Sequence, residues 1–328
     1  MTKGYGIFSG GLDSMLAALV LKDQAIDIEL ITFVTPFFGP EKALESGHAI
    51  GLIPRVVDLT DEHLNMMQHP RHDFGRFMNP CIDCHALMFN RAGRIMDAEG
   101  GGFLFSGEVL GQRPKSQSRR PMDLVANMSG YADFILRPLS AKCLPETPME
   151  TSGLVDRNRL LDLYGRSRKP QMKLAAHYGL KSYPNPAGGC LLTDPIFSRR
   201  LRELYDLNPA LQVRQVEFLK YGRHFRLPGG LKVIVGRNQK DNEALERLVT
   251  PDDVVLDASN VPGPIVVIPD ANGRPSAEVL EMAAAMTLAY SDAPENILQT
   301  VTVTGAGDTF EMTIQTGTKA GFAQFMIQ

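Results

Sequence analysis

"IFSGGLDSML", residues 7 to 16, sets two glycines, two serines and an aspartate between apolar runs. The strand-like "GYGIFS" leads into it and the helical pattern "DSMLAALVLKDQ" leads out. A strand, a Gly-Gly turn and a helix start together expose backbone N–H groups at the positive end of a helix, which is a site for phosphate. Gly10 and Gly11 permit close backbone approach, Leu12 lies within the turn, and the hydroxyls of Ser9 and Ser14 add donors. Asp13 is the odd member, because a carboxylate repels phosphate unless a cation lies between them. Mg²⁺ bridging to a nucleotide accounts for it. The lysine of a Walker A loop is absent, so this is not that kind of ATP site. The plain alternative is an ordinary turn in which Asp or Ser caps the helix.

Outward from the turn, the first half of the chain alternates. "IDIELITFVT", "PRVVDLT" and "GFLFSGE" read as strands, and "PEKALESGHAIGL" and "CHALMFNRAGRIMDAE" read as helices. Strands alternating with helices predict an α/β domain, a parallel sheet with helices on both faces. Ligands of such sheets bind beyond the carboxyl ends of the strands, where "SGGLDS" would sit. From about residue 157 the texture changes: "NRLLDLYG", "KPQMKLAAHYG" and "FSRRLRELYDL" read as short helices, and "YPNPAGGCLLTD" as a loop. After residue 209 the pattern turns strand-rich, with "LKVIVGRN", "DVVLDA", "PGPIVVIPD", "TVTVTG" and "FEMTIQTG" around a helix "SAEVLEMAAAMTLAYS". A boundary near residue 205 divides the chain into an α/β domain, 1–205, and a smaller α+β domain, 206–328.

The whole chain has 328 residues, about right for two domains. Apolar residues make up 44%, enough for real cores, and the net charge of −3 advertises no polyanionic partner globally. No run of roughly 18 apolar residues offers a membrane span, and no signal peptide precedes the first strand. The expected compartment is the cytoplasm, where four cysteines serve as ligands, catalysts or buried thiols rather than disulfides.

"SGGLDS" on a first strand resembles the PP-loop of the ATP pyrophosphatase superfamily, also called adenine nucleotide alpha hydrolases, whose pattern S-G-G-x-D-S it matches completely. The resemblance implies that ATP is split between its α and β phosphates. Pyrophosphate would lie in the turn while AMP passes to an acceptor oxygen.

The cysteines narrow the choice. "NPCIDCH" places Cys81 and Cys84 at an expected helix start, where the helix dipole favours thiolate. Cys190 lies in the glycine-flanked "PAGGCLLTD", and Cys143, in "SAKCLPE", has no evident company. "CIDCH" matches the c-type haem signature, but haem attachment requires export and this motif sits inside a parallel-sheet domain. A structural zinc site recruiting Cys143 or His85, a redox dithiol, inert thiols and a sulfur-handling site remain open.

Cysteines after the third strand together with a late "GGC" loop resemble the tRNA-thiolation branch of the PP-loop enzymes, the 4-thiouridine and 2-thiouridine synthetases. "SGEVLGQRPKSQ", "KPQMKLAAHYGL" and "GGCLLTD" resemble segments of the 4-thiouridine synthetase catalytic domain, in the same order, over roughly residues 4 to 200. The N-terminal RNA-capturing domain of the bacterial synthetases has no counterpart. This resemblance implies an ATP-dependent tRNA sulfurtransferase in which Asp13 helps place Mg²⁺ and pyrophosphate, Gly107 and Glu108 line the nucleotide, and Gln112 contacts substrate. It also implies one of two sulfur chemistries. In the preferred one, Cys81, Cys84 and Cys190 hold a [4Fe–4S] cluster with one open iron. In the other, Cys190 carries a persulfide that Cys81 or Cys84 resolves. Sulfur would come from sulfide, a desulfurase persulfide or a carrier protein. On residue types alone, Glu108 could equally be a surface residue.

Basic residues cluster in "RPKSQSRRP" (Arg113, Lys115, Arg119, Arg120), "GRSRKPQMK" (Arg166, Arg168, Lys169, Lys173) and "FSRRLR" (Arg199, Arg200, Arg202). They are either solvated faces or contacts to an RNA backbone. "LKVIVGRNQKDNEAL" with "VPGPIVVI" resembles the NFACT-R RNA-binding module, which implies RNA contact by the second domain; otherwise that domain merely packs or dimerises. Two further functions compete with tRNA thiolation. One is an adenylating amidotransferase or ligase that needs no thiols. The other is an RNA-binding module on a relict nucleotide fold.

Overall fold

The structure is a computed structural model, and it describes residues 3–113, 116–184, 189–271, 275–305 and 307–327. Lys115 and the Pro186-Ala187-Gly188 part of the "PAGGC" stretch lie outside the described residues. The chain divides into two compact units, Met1–Asp194 and Pro195–Gln328.

The first unit runs β1 (Lys3–Ile7), α1 (Leu12–Lys22), β2 (Asp27–Val34), α2 (Glu41–Ala49), β3 (Arg55–Asp58), α3 (Thr60–Gln68), α4 (Cys81–Ala98), β4 (Phe103–Ser106), α5 (Arg119–Ser129), β5 (Ile135–Leu136), α6 (Pro148–Thr151) and α7 (Lys169–His177). Its five strands lie in the order β3-β2-β1-β4-β5, and every pairing is parallel. This is the α/β sheet expected from the alternation.

The period of two along each strand sends alternate side chains to opposite faces. Phe103 and Phe105 join one core with Leu16, Leu30 and Leu136, while Leu104 joins another with Tyr5, Phe33 and Phe89. The central strand is thin on one face. A Cβ added at Gly4 would stand 2.8 Å from Phe103 Cζ, and one at Gly6 only 2.3 Å from Phe105 Cζ.

After β1 the chain steps outward to β2 and β3, then returns to lay β4 on the other side of β1. The reversal opens a crevice beyond the carboxyl ends of β1 and β4, where such sheets bind ligands. Helix α4 feeds β4, so its last turn lies at the amino edge of the sheet. Its first turn lies about 27 Å away, at the carboxyl edge, at 1.5 Å per residue over 18 residues.

One expected helix is absent. "NRLLDLYG" forms only a short 3₁₀ turn, Arg157–Arg159, and then runs extended. Its backbone bonds go sideways instead: Leu161 and Leu163 donate to the carbonyls of Pro138 and Leu139 at 3.0 and 2.8 Å, and Gly165 donates to Leu110 at 2.8 Å.

The second unit contains α8 (Pro195–Leu207), α9 (Val213–Phe218), β6 (Arg223–Arg226), β7 (Lys232–Val235), α10 (Gln239–Leu248), β8 (Val254–Ala258), β9 (Val266–Ile268), α11 (Ala277–Ala289), β10 (Leu298–Gly305), β11 (Asp308–Gln315) and α12 (Lys319–Phe322). The six strands form a sheet in the order β11-β10-β8-β9-β7-β6, with every pairing antiparallel. The apolar helix α11 contributes to the main core of this unit, and Leu245 of α10 joins Ile234, Ile265 and Val267 in a second one. Helix α8 belongs to this second unit. Its Arg200 is buried and donates to the carbonyls of Leu219 and Gly222 at 2.9 and 3.0 Å, so it is not part of a basic surface. Among the described residues, no helix is long and apolar enough to cross a membrane.

Candidate active site

The Ser9–Ser14 turn stands at the carboxyl end of β1. Gly10 has φ +70°, a conformation that costs L side chains energy, and a Cβ there would stand 2.4 Å from the carbonyl oxygen of Lys42. Helix α2 is thus pressed against the turn, and Ser46 from that helix donates to the Gly10 carbonyl at 2.8 Å. Gly11 is the cap residue of α1, and the Ser14 hydroxyl donates back to its carbonyl at 2.8 Å. Ser9 is exposed, and Leu12 is buried in the core beneath. Open N–H groups at this end of α1 suit an anion.

Gly107, at the end of β4, closes the other side. A Cβ there would stand 2.5 Å from the backbone of Asp13 and of Ser14. Gln112 reaches across and donates from Nε2 to Oδ2 of Asp13 at 3.0 Å. Asp13 Oδ1 and Gln112 Oε1 are both buried without a partner. An unsatisfied carboxylate oxygen and an unsatisfied amide oxygen are hard donors of the kind that suit a divalent cation such as Mg²⁺.

Glu108 is buried rather than a surface residue. Its Oε2 accepts from Arg137 Nε at 2.9 Å and from the Ser106 hydroxyl at 3.1 Å, and its Oε1 lies 3.6 Å from His85 Nδ1, an ion-pair separation. Burial alone would raise its pKa. The Arg137 guanidinium and the His85 imidazole outweigh that and hold the carboxyl down to about 2. His85 and Arg137 complete a network that sequence spacing did not reveal.

Cys81 opens α4 and accepts from Asn79 Nδ2 at 3.2 Å. Asp83, buried beside it, receives the backbone N–H of His72 at 2.9 Å and faces His72 Nδ1 at 3.0 Å. Cys84 is one turn further in. The expectation of thiolate at this helix start fails for Cys84. Burial pushes its thiol well above the ordinary range, and the sulfurs of Cys190 and Cys81 and the Asp83 carboxylate add to the effect. Burial likewise pushes Cys190 up to about 11, against a lowering by the Leu192 backbone N–H, with Cys81 adding a further rise.

The three cysteines therefore lie within one another's electrostatic reach, although Cys190 is more than a hundred residues from the pair. The Cys190 loop is tied down by Leu191 N–H donating to the Phe37 carbonyl at 3.0 Å. One buried and two half-buried thiols in one place are the donor chemistry of a soft-metal or sulfur site. Even so, among the described residues no three His, Cys, Asp or Glu side chains stand at metal-holding spacing. Cys143 is exposed elsewhere and donates to the Asp162 carbonyl at 3.2 Å.

Residues 222–326 match the family described as the NFACT protein RNA binding domain. The tRNA-specific 2-thiouridylase MnmA of Pelobacter propionicus is 25% identical over 178 residues, which are 49% of this chain and 49% of that protein. The chain thus spans about half the length of this curated relative. Among solved structures, a 4-thiouridine synthetase–RNA complex with bound ATP is 20% identical, covering 56% of this chain and 43% of that one, with a TM-score of 0.36. The C-terminal part of a fibronectin/fibrinogen-binding protein from Streptococcus suis is 23% identical, covering 42% of this chain and 63% of that one, with a TM-score of 0.29. The chain joins a parallel α/β unit similar to the PP-loop enzymes of tRNA thiolation to a carboxyl-terminal segment that matches the NFACT RNA-binding domain.

Proposed function

We propose that this protein is an ATP-dependent tRNA sulfurtransferase. The observation that carries the reading is the company of Cys81, Cys84 and Cys190 at the carboxyl edge of a parallel sheet whose first turn is built for phosphate. A uridine carbonyl oxygen is a poor leaving group and must be activated before sulfur can replace it. The carbonyl oxygen attacks the α-phosphorus of ATP and pyrophosphate departs. Sulfur then adds to the ring carbon, and AMP leaves with the old oxygen. The N–H groups of the Ser9–Ser14 turn would receive the departing pyrophosphate. Asp13 and Gln112 would hold Mg²⁺ through their unpartnered oxygens, neutralising charge on the phosphates. Glu108 is anchored to Arg137, which fixes the backbone of Gly107 against Asp13.

Three sulfurs, rather than the two that a persulfide and its resolving thiol require, favour a [4Fe–4S] cluster held by Cys81, Cys84 and Cys190. When bound, such a cluster supplies an open coordination position for incoming sulfide. Burial keeps Cys84 and Cys190 as thiols when the site is empty, so loading must release their protons. The persulfide reading, with Cys190 as carrier, is favoured by the lack of a ligand-spaced group among the described residues. Anaerobic purification and reconstitution distinguish the two: iron and acid-labile sulfide support the cluster, and their absence with retained activity supports the persulfide. The reaction itself is tested by mass spectrometry of nucleosides from total tRNA, with and without the gene. Loss of one thionucleoside is expected. An unchanged profile in cells without a redundant enzyme counts against thiolation, and intact activity in Cys190→Ser points to an amidotransferase or ligase.

A further inference from the structure

Tyr164 exposes 71% of its surface, well beyond the 43% of Phe134, and leaves a large ring face in water. It is nonetheless held firmly. Its backbone bridges to Leu110, Gly165 donates to the Leu110 carbonyl at 2.8 Å, and the ring edge lies 3.2 Å from where a Cβ on Gly111 would stand. This pairing sets residues 164–168 alongside residues 110–113, next to the Gln112 amide that holds Asp13.

Cations gather at the same place. Arg113 follows Gln112, Arg168 follows Tyr164 by four residues, and Lys42 enters from the first turn of α2, which packs against Gly10. Burial lowers the pKa of Lys42, and the guanidinium groups of Arg113 and Arg168 lower it further. Among the described residues none of these three cations makes an ion pair, and Arg168 Nε is buried without a partner. Three like charges held together without an anion call for one from outside.

We propose that Tyr164, Lys42, Arg113 and Arg168 form a docking site for single-stranded RNA beside the target nucleotide, the ring stacking on a base and the cations taking backbone phosphates. The inference rests on the RNA-modifying reading above and adds the residues that grip the strand within the first unit. A solvent-facing ring flanked by cations suits a strand arriving from outside, because aromatic stacking and phosphate contacts are how unpaired nucleic acid is held. A cofactor base would be enclosed instead.

The test uses the full chain, with an unmodified tRNA transcript, short oligouridine and ATP as separate probes. Tyr164→Ala is expected to weaken RNA binding by about 5- to 150-fold, the range of one lost base–aromatic stack, while Tyr164→Phe restores it. Lys42→Gln and Arg168→Gln should each flatten the slope of log affinity against log salt by about 0.7. ATP affinity should not change in any of the four. Unchanged RNA affinity in Tyr164→Ala, with the wild type binding normally, overturns this proposal and leaves the parent reading intact. Weakened ATP binding with intact RNA binding assigns the patch to the nucleotide and also overturns it. A wild-type chain that binds no RNA removes both.

Discussion

Gln112 Nε2 donates to Asp13 Oδ2 at 3.0 Å across 99 residues of sequence, and the remaining oxygen of each side chain is buried without a partner. One bond thus fixes the aspartate of the first turn to the segment after the fourth strand, and leaves one buried oxygen acceptor unsatisfied on each side chain.

Asp13→Asn should lower pyrophosphate release from ATP by about 100-fold or more, because it removes the negative charge that would hold Mg²⁺ against the reacting phosphates. Gln112→Met, which loses one neutral–ionic hydrogen bond, should cost about 10-fold. Pyrophosphate release measured across a Mg²⁺ titration checks both. An Asp13→Asn protein with wild-type rates would remove the aspartate from the chemistry.

Cys190→Ser should abolish thionucleoside formation while leaving pyrophosphate release within about twofold of wild type, since the thiol acts after adenylation. Cys143→Ser should change neither, as Cys143 is exposed and bonded to the Asp162 carbonyl. In the metal-free protein, alkylation of Cys190 should climb only as the pH approaches about 11, where burial has moved its thiol. Mass-spectrometric mapping of alkylated peptides against pH reads this directly.

Glu108→Gln leaves Arg137 buried without its counter-charge and should destabilise the first unit by about 3–5 kcal/mol. The carboxyl is held at about 2 against an ordinary 4.5, so the native state binds fewer protons than the unfolded chain between those values. Stability from this pair is complete above pH 4.5, falls as the pH drops toward 2, and is gone below it. Urea unfolding at stepped pH should show that fall in the wild type and a flatter profile in Glu108→Gln.

Gly10→Ala forces a Cβ into a left-handed residue and against the Lys42 carbonyl, 2.4 Å away. The backbone strain alone is about 1–3 kcal/mol. The larger effect should be on ATP affinity, because relief requires α2 to leave the turn and give up the Ser46 bond. Calorimetric titration with ATP, alongside thermal melting, separates the two losses.

The opening turn was legible because its chemistry is local: Ser9, Gly10, Gly11, Asp13 and Ser14 are consecutive or nearly so, and their strand and helix neighbours carry strong periodic patterns. Glu108 was named, but its partners His85 and Arg137 come from separate segments, and no spacing rule joins 85, 108 and 137. The two residues of β5 and the four of β6 are too short for a period to show. "NRLLDLYG" misled because its leucines mimic a helical stripe, whereas the backbone pairs with residues 138, 139 and 110. For Cys84 the helix dipole was read correctly as a local field but lost to burial, a property of the whole fold. Arg200 looked like part of a basic run and is instead an interior donor.

The rings of Phe103 and Phe105 lying over Gly4 and Gly6 make two neighbouring strands answerable to each other. A methyl group added at residue 4 or 6 demands a smaller side chain at 103 or 105, and a shrunken ring alone would leave a void. Such positions can change only in concert: Gly6→Ala should become tolerable beside Phe105→Leu, though each would be harmful alone. The strand that carries the phosphate turn is in this sense open to change by exchange with its neighbour, and closed to change by single steps.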